Sequence, residues 1–394
     1  MPDILETNRT QGLRPLTLLQ PAKIAFGAGS CLQAVEFLEQ RSIPSVALFV
    51  SRSTRELSKA LVDRLEAAQI AVHLSEPLPA EPTFADAENA RKWLRDTAAQ
   101  AAIGFGGGSV IDIAKIAAAT LDESAEILSF VGNGLLPPRN IPLLAIPTTA
   151  GAGSEVSPNA IFLDPEAQLK KGVISPWLVP DAAFVDPELT YSLPSGTTAS
   201  TALDALSHCI EAYANRNAHP LVDVYALKGI QLIFAQLQNA LEDGRDTEAR
   251  SALALGSLYG GLCLGPVNTA AIHALSYPLG SEFKVPHGLA NAILMPHLLR
   301  FNASAVPERY AEIAAHLGLA DTSATAAENA DRFIAALEQL CSDCSLPSSL
   351  AACGVTAGDI PRMATAALGI KRLLVNNLRD LSQSDAEGIY QNAF

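Results

Sequence analysis

The chain is 394 residues long, 49% hydrophobic and 17% charged, with a formal net charge of −14. Its length predicts more than one core and hence two domains. Its acidity excludes nucleic acid and anionic membranes as partners, because both need a basic face.

No apolar run reaches bilayer-spanning length. The stretch from Met1 to Pro21 is acidic then polar, without the order of a secretory signal, and predicts a cytoplasmic protein with a loose first turn. Residues 22–29 (AKIAFGAG) read as a strand ending on a glycine turn, and Ser30 to Gln40 as a helix. Val46 to Ser51 is a continuous apolar run of the buried-strand type. Residues 54–68 have helical spacing, 70–75 (IAVHLS) read as the next strand, 76–83 as a proline-rich loop and 85–100 as a helix.

A strand over Ala101 to Phe105 then runs through Gly106, Gly107, Gly108 and Ser109 into a helix. Glycines let a backbone approach a phosphate closely, and a helix start offers unpaired N–H groups and a positive dipole end. Ser109 and Asp112 also have the spacing of a helix cap. Two readings stay open on these residues, a phosphate cradle and a plain strand-to-helix turn; the run is not the G-x-G-x-x-G dinucleotide fingerprint. A second buried strand leads into PTTAGAGSEVSPNA, whose small and hydroxyl residues suit a loop against a ligand.

The texture changes near Pro187 to Pro194. Alternating strands and helices give way to Ala/Leu-rich helical patterns, which predicts an α/β domain over 1–190 and an all-α domain over 191–394. Successive helices are expected at 196–214, 219–242, 247–264, 270–283 and 288–302, with a helical tail to Phe394. Of six cysteines, Cys341 and Cys344 form a C-x-x-C with Cys353 nearby. No strand leads into the pair and no second pair completes a zinc site, so they read as small residues in a helix.

Asp204 and His208 lie four apart in DALSHCIEAY, on one face of a helix. His273 (AAIHALSYPLG) and His287 (VPHGLAN) follow, so three of seven histidines sit in apolar, low-charge surroundings. One carboxylate and three imidazoles make a complete ligand set for a divalent first-row metal. Each histidine alone reads as a satisfied core residue; the four together read as a site.

From about residue 21 to its end the chain resembles the iron-containing (group III) alcohol dehydrogenases. PAKIAFGAG is similar to their opening strand, GGGSVIDIAK to their pyrophosphate motif, and PTTAGAGSE to their PTTAGTGSE loop. DPELTYSLP resembles their interdomain segment, DALSHCIEAY their first ligand helix, and IHALSYPLG with PHG the segment of the other ligands. The resemblance implies an N-terminal dinucleotide-binding domain, a C-terminal helical domain and an active site between them. It implies Asp204, His208, His273 and His287 as metal ligands, with Fe²⁺ the usual ion and Zn²⁺ among the substitutes. Gly106 to Ser109 would hold the pyrophosphate of NAD(P), Asp112 would lie near the nicotinamide, and Thr148, Thr149 and Lys170 would line the rest of the cofactor cleft. An alcohol or aldehyde substrate and a homo-oligomer, often a dimer, are implied as well.

Two positions depart from the family pattern. Tyr277 stands where many members carry a proton-relaying histidine four residues after the third ligand, as in the hydroxyacid–oxoacid transhydrogenase branch. Arg52 stands where many carry an aspartate for the ribose of NAD. Transhydrogenation is therefore one competing activity. Maleylacetate reduction fits less well, since that branch usually has asparagine at Asp204. A dehydroquinate synthase-type lyase needs a basic cluster that Arg216, Lys228, Lys284 and Arg300 are too scattered to form. A non-enzymatic binder does not account for two coincident site signals.

Overall fold

The computed structural model describes residues 13–167 and 169–394, and the expected loose first turn falls largely on residues 1–12, outside them. In the first half the strands are β1 (Lys23–Phe26), β2 (Ser45–Val50), β3 (Ala71–Leu74), β4 (Ala101–Gly106), β5 (Gly132–Asn133), β6 (Leu143–Pro147), β7 (Asn159–Asp164), β8 (Leu169–Ile174) and β9 (Ala182–Val185). The interleaved helices are α1 (Gln33–Glu39), α2 (Lys59–Ala67), α3 (Phe84–Thr97) and α4 (Gly108–Ala119).

Six strands form one parallel sheet in the order β1-β9-β6-β4-β2-β3. Strand β2 shows why its apolar run is continuous. Val46, Leu48 and Val50 pack on one face with Phe37 and Leu38 of α1 and Leu61 and Leu65 of α2. Ala47 and Phe49 pack on the other with Leu94 of α3 and Ile113 and Ile116 of α4. A parallel sheet covered on both faces needs apolar side chains at both phases of the strand.

The connection leaving β2 runs to β3 on one side, whereas β4 leads to β6 on the other. The carboxyl ends of β2 and β4, aligned at Val50 and Phe105, thus flank a topological switch point. Open α/β sheets bind ligands in the crevice outside such a point.

Three local features differ from expectation. Residues 52–58 form turns, and α2 begins only at Lys59. Here Thr54 Oγ1 donates to Phe105 O at 3.1 Å and accepts from Ser51 N at 3.0 Å, side-chain bonds that compete with a helix. The helix expected from Ser30 opens as a 3₁₀ turn, Ser30–Leu32, before α1. An unexpected hairpin pairs β7 antiparallel to β8, with β5 added alongside. Its turn is held by Asp164 Oδ1, which accepts from the N–H groups of Glu166 and Ala167 at 3.0 and 3.1 Å.

The second half is helical: α5 (Ser195–Tyr213), α6 (Pro220–Glu242), α7 (Thr247–Leu264), α8 (Ala271–Phe283), α9 (His287–Ala303), α10 (Glu308–His316), α11 (Ala326–Asp343), α12 (Ile360–Leu368), α13 (Lys371–Leu374) and α14 (Gln383–Asn392). They enclose their own core, with Leu206, Ile233, Leu275, Leu298 and Phe333 among its members. Cys341 and Cys344 pack against this core, and all six cysteines are free thiols.

The two halves meet along the loop after β6. Gly153, at φ +63°, lies against α7 so closely that an added Cβ would stand 2.3 Å from Gly261 Cα. Glycine at both positions permits a backbone-on-backbone contact.

Candidate active site

Helix α5 presents Asp204 and His208 one turn apart, and both are buried. Helix α8 supplies His273, also buried, and α9 starts at His287. Gly288 lets that start press onto α5: an added Cβ would meet Ser200 O at 2.1 Å. Asp204 Oδ1 lies 3.8 Å from His208 Nε2, 3.7 Å from His273 Nε2 and 3.7 Å from His287 Nε2.

These separations are too long for hydrogen bonds. Donor atoms around a tetrahedral ion at about 2.1 Å stand about 3.4 Å apart, so the four atoms surround a space of cation size. Asp204, His208 and His273 form the tight group, with ligand atoms all within 4.8 Å of one another. His287 matches their approach to Asp204 but completes the set less tightly. The donor set therefore fits a divalent first-row metal.

The electrostatics agree. Burial alone would raise the Asp204 carboxyl, but the imidazoles of His208, His287 and His273 outweigh it and hold the group well below the usual carboxylate range. Burial pushes His208 down to about 4 and His287 down to about 3, so both imidazoles are neutral ligands at pH 7. His273 departs from this: burial works against its protonation, but Glu211 and Asp204 raise it to about 10, so a cation has to displace that proton before Nε2 can ligate.

Glu211 and Asn291 escaped the sequence reading. The buried Glu211 accepts from Ile272 N at 2.6 Å and meets His273 Nδ1 at 2.5 Å, turning Nε2 toward Asp204. Its signal was present: it lies three residues after His208, on the same helical face. Asn291 Nδ2 donates to Asp204 Oδ1 at 2.7 Å and lies 3.2 Å from His273 Nε2 and 3.4 Å from His287 Nε2. It is four residues beyond His287.

Across the cleft, β4 ends in the glycine turn. Gly107 is the N-cap residue of α4 and no side chain caps the helix. Ser109 Oγ donates to Ala80 O instead, and Asp112 accepts from Ser154 Oγ and, at 2.9 Å, from Ile161 N. The capping reading of Ser109 and Asp112 is thereby corrected: their side chains are engaged elsewhere, leaving a helix start fit for an anion. An added Cβ at Gly108 would stand 2.5 Å from Ala152 Cβ, and one at Gly107 3.3 Å from Thr149 Oγ1.

One cleft of about 690 Å³ joins the two sides. Gly107, Gly108, Ser109, Asp112, Thr149 and Lys170 line it from the sheet side. Asp204, His208, His273, Tyr277 and His287 line it from the helical side. Lys170, on the unexpected hairpin, pairs with Glu81 at 2.8 Å. Gly106 and Thr148 are buried beneath the turn, joined by Thr148 N donating to Gly106 O at 3.0 Å. Arg52 is exposed at the end of β2 and is not among the lining residues. The Tyr277 ring lies 6.0 Å from that of His287, and its Oη accepts from Arg372 Nη2 at 3.1 Å.

A parallel sheet whose uncapped helix start faces one carboxylate and three imidazoles sets an anion-binding turn opposite a divalent-metal donor set. Residues 21–187 match the family model described as iron-containing alcohol dehydrogenase, and residues 198–394 match the model of that family's C-terminal part. The chain belongs to the iron-containing alcohol dehydrogenase family. It is similar to long-chain-alcohol dehydrogenase 1 of Geobacillus thermodenitrificans, at 36% identity over 326 residues, 82% of either chain. It is similar to 1,3-propanediol dehydrogenase of Klebsiella pneumoniae, at 30% identity over 88% of this chain and 90% of the relative. The crystal structure of a 1,3-propanediol oxidoreductase superposes with a TM-score of 0.93 at 29% identity, covering 97% of this chain and all of that one. As a member of this family the protein is an NAD(P)-dependent oxidoreductase, and Asp204, His208 and His273 form a group that could hold the metal for which the family is named.

Proposed function

We propose that the chain interconverts a short alcohol and its aldehyde, with Asp204, His208, His273 and His287 as the metal ligands and the Gly107–Ser109 turn as the pyrophosphate cradle. The observation that carries this reading is that the ligand cluster and the uncapped start of α4 open into one cleft.

Asp204, His208, His273 and His287 would hold a divalent cation, which would lend Lewis acidity toward a substrate oxygen, and the Gly107–Ser109 turn would hold a dinucleotide whose nicotinamide would supply the hydride chemistry. The protein's own part is positional. Backbone N–H groups at the start of α4 bind the pyrophosphate, and Gly108 keeps that approach open. Thr149 and Lys170 flank the cofactor path, and Gly106 and Thr148 support it from below. Asp112 is fixed by Ser154 and Ile161 and gives the nicotinamide side of the cleft a defined wall. Tyr277, whose oxygen already accepts from Arg372, keeps its own O–H to pass a hydrogen bond to the substrate oxygen.

The reading extends to a division near Thr190, supported by the turn at Pro187–Thr190 between β9 and α5. It extends to a cytoplasmic location, with which six free thiols agree, and, from the family resemblance alone, to a homo-oligomer, which light scattering reads.

The test is metal content together with NAD(P)H-dependent reduction of short aldehydes. The protein loaded with Fe²⁺ or Zn²⁺ turns over, and His273→Ala loses most of the metal and nearly all turnover. Tyr277→Phe slows turnover while keeping the metal. Full metal content and activity in His273→Ala would sink the ligand assignment.

A further inference from the structure

The cleft holds a cation that the chemistry above leaves without a task. Arg372, at the start of α13, lines the cleft on the Tyr277 side. Its guanidinium donates to Tyr277 Oη at 3.1 Å, and its central carbon lies 5.9 Å from that ring's centre. It lies beside Gly172 of β8, where an added Cβ would be in ordinary contact with Nη2 at 3.7 Å.

No carboxylate among the described residues pairs with Arg372, in a chain with 41 acidic against 27 basic residues. The acids of the cleft are all engaged elsewhere. Glu81 holds Lys170 at 2.8 Å, Asp112 is bonded to Ser154 and Ile161, and Asp204 lies among the imidazoles. The other cleft cation, Lys170, is thus neutralised, and Arg372 is not.

Arg372 touches Tyr277, whose ring centre lies 6.0 Å from that of the proposed ligand His287. A substrate whose oxygen sits at the ligand cluster would reach the guanidinium with the far end of a short chain. An arginine fork with spare N–H groups matches the two oxygens of a carboxylate.

We infer that Arg372 is a specificity-determining residue that receives a substrate carboxylate, so that the preferred substrates are short hydroxy acids and the corresponding oxo acids. This rests on the site reading proposed above. The carboxylate is a spectator. Oxidation breaks the carbinol C–H bond with its electron pair passing to the nicotinamide, and the hydroxyl proton leaves to solvent.

The experiment compares 3-hydroxypropanoate and 4-hydroxybutanoate with 1,3-propanediol and 1,4-butanediol, using metal-loaded protein and NAD(P). In the wild type the acid-to-diol ratio of kcat/KM is expected to exceed about tenfold, the scale of one charged hydrogen-bonded pair. In Arg372→Ala that ratio falls by about tenfold or more, and Arg372→Lys retains part of it. Calorimetric binding of butanoate, which needs no turnover, weakens in parallel. A ratio that is the same in wild type and Arg372→Ala, or unaltered butanoate binding, overturns the assignment. Diol turnover with an unmoved ratio overturns this inference alone, whereas absence of turnover on every substrate overturns the underlying site reading with it.

Discussion

Glu211 meets His273 Nδ1 at 2.5 Å, and this contact decides which ring nitrogen faces the centre of the site. A carboxylate behind a ligating histidine fixes the tautomer and orientation of the ring and raises its basicity. Glu211→Gln keeps the shape and removes the charge. Metal affinity, measured by competition with a chelator, is expected to fall by about 10–100-fold while the helical circular dichroism stays unchanged. Wild-type affinity would mean that Glu211 serves only to cap Ile272 N–H.

The glycine turn gives a second test. At Gly107 even a Cβ would stand 3.3 Å from Thr149 Oγ1 and 3.4 Å from its methyl carbon. Gly107→Val therefore places a branched side chain between the start of α4 and an incoming pyrophosphate. The dissociation constant for NAD(H), read by fluorescence titration, is expected to rise at least about tenfold, the worth of one or two charge-assisted hydrogen bonds. Metal content is expected to hold. An unchanged constant would leave only the plain-turn reading.

Cofactor choice is read at Arg52. It follows β2 at the switch point, exposed, beside Ser51 and Ser53, whose hydroxyls are 3.0 Å apart. A carboxylate there would repel a 2′-phosphate, whereas an arginine pairs with one. NADP(H) is expected to be used at least as well as NAD(H), and Arg52→Asp to shift kcat/KM toward NAD(H). A strong NAD(H) preference unmoved by the substitution would show that Arg52 does not read the ribose.

Glu155, in the loop after β6, carries a pH signature. Burial raises its carboxyl from the ordinary 4.5 to about 7, with Lys115 opposing. A raised carboxyl favours the fold while protonated, so this contribution is complete below 4.5 and is lost as pH rises through about 7. Glu155→Gln does not ionise. Relative to the wild type its melting temperature is expected to climb between pH 5 and 7 and then level, the difference reflecting on the order of 3 kcal/mol at most. Parallel melting curves across that range would show that Glu155 is not buried as a titrating group.

The first five helices of the second half were legible to within a residue or so at each end, because long apolar periodicity overrides local ambiguity, whereas the tail was legible only as helical, without the ends of α10 to α14. The buried strands β2 and β4 were legible for the same reason. The hairpin β7–β8 was not: LKKGVI mixes two lysines and a glycine into a strand whose partner supplies the order. The four proposed ligands could be singled out because they sit in three recognisable segments, Asp204 and His208 together in DALSHCIEAY, His273 in IHALSYPLG and His287 in PHG. Arg372 was not, because it reaches Tyr277 across 95 residues of sequence from a helix of four residues. Contacts of that range are set by how the tail folds back, which no local pattern encodes.

The meeting of Gly153 with Gly261 has a mechanical meaning. The loop that carries Thr149 and Ser154 rests main chain to main chain on the helix behind His208, joining sheet and bundle at the chemical end of the cleft. A side chain at either glycine would force that loop off the helix and shift Thr149 and Ser154, which line the cleft. The spacing between the two walls of the cleft is thus set here by main chain against main chain, not by side chains free to turn, and it is on such spacing that a hydride transfer depends.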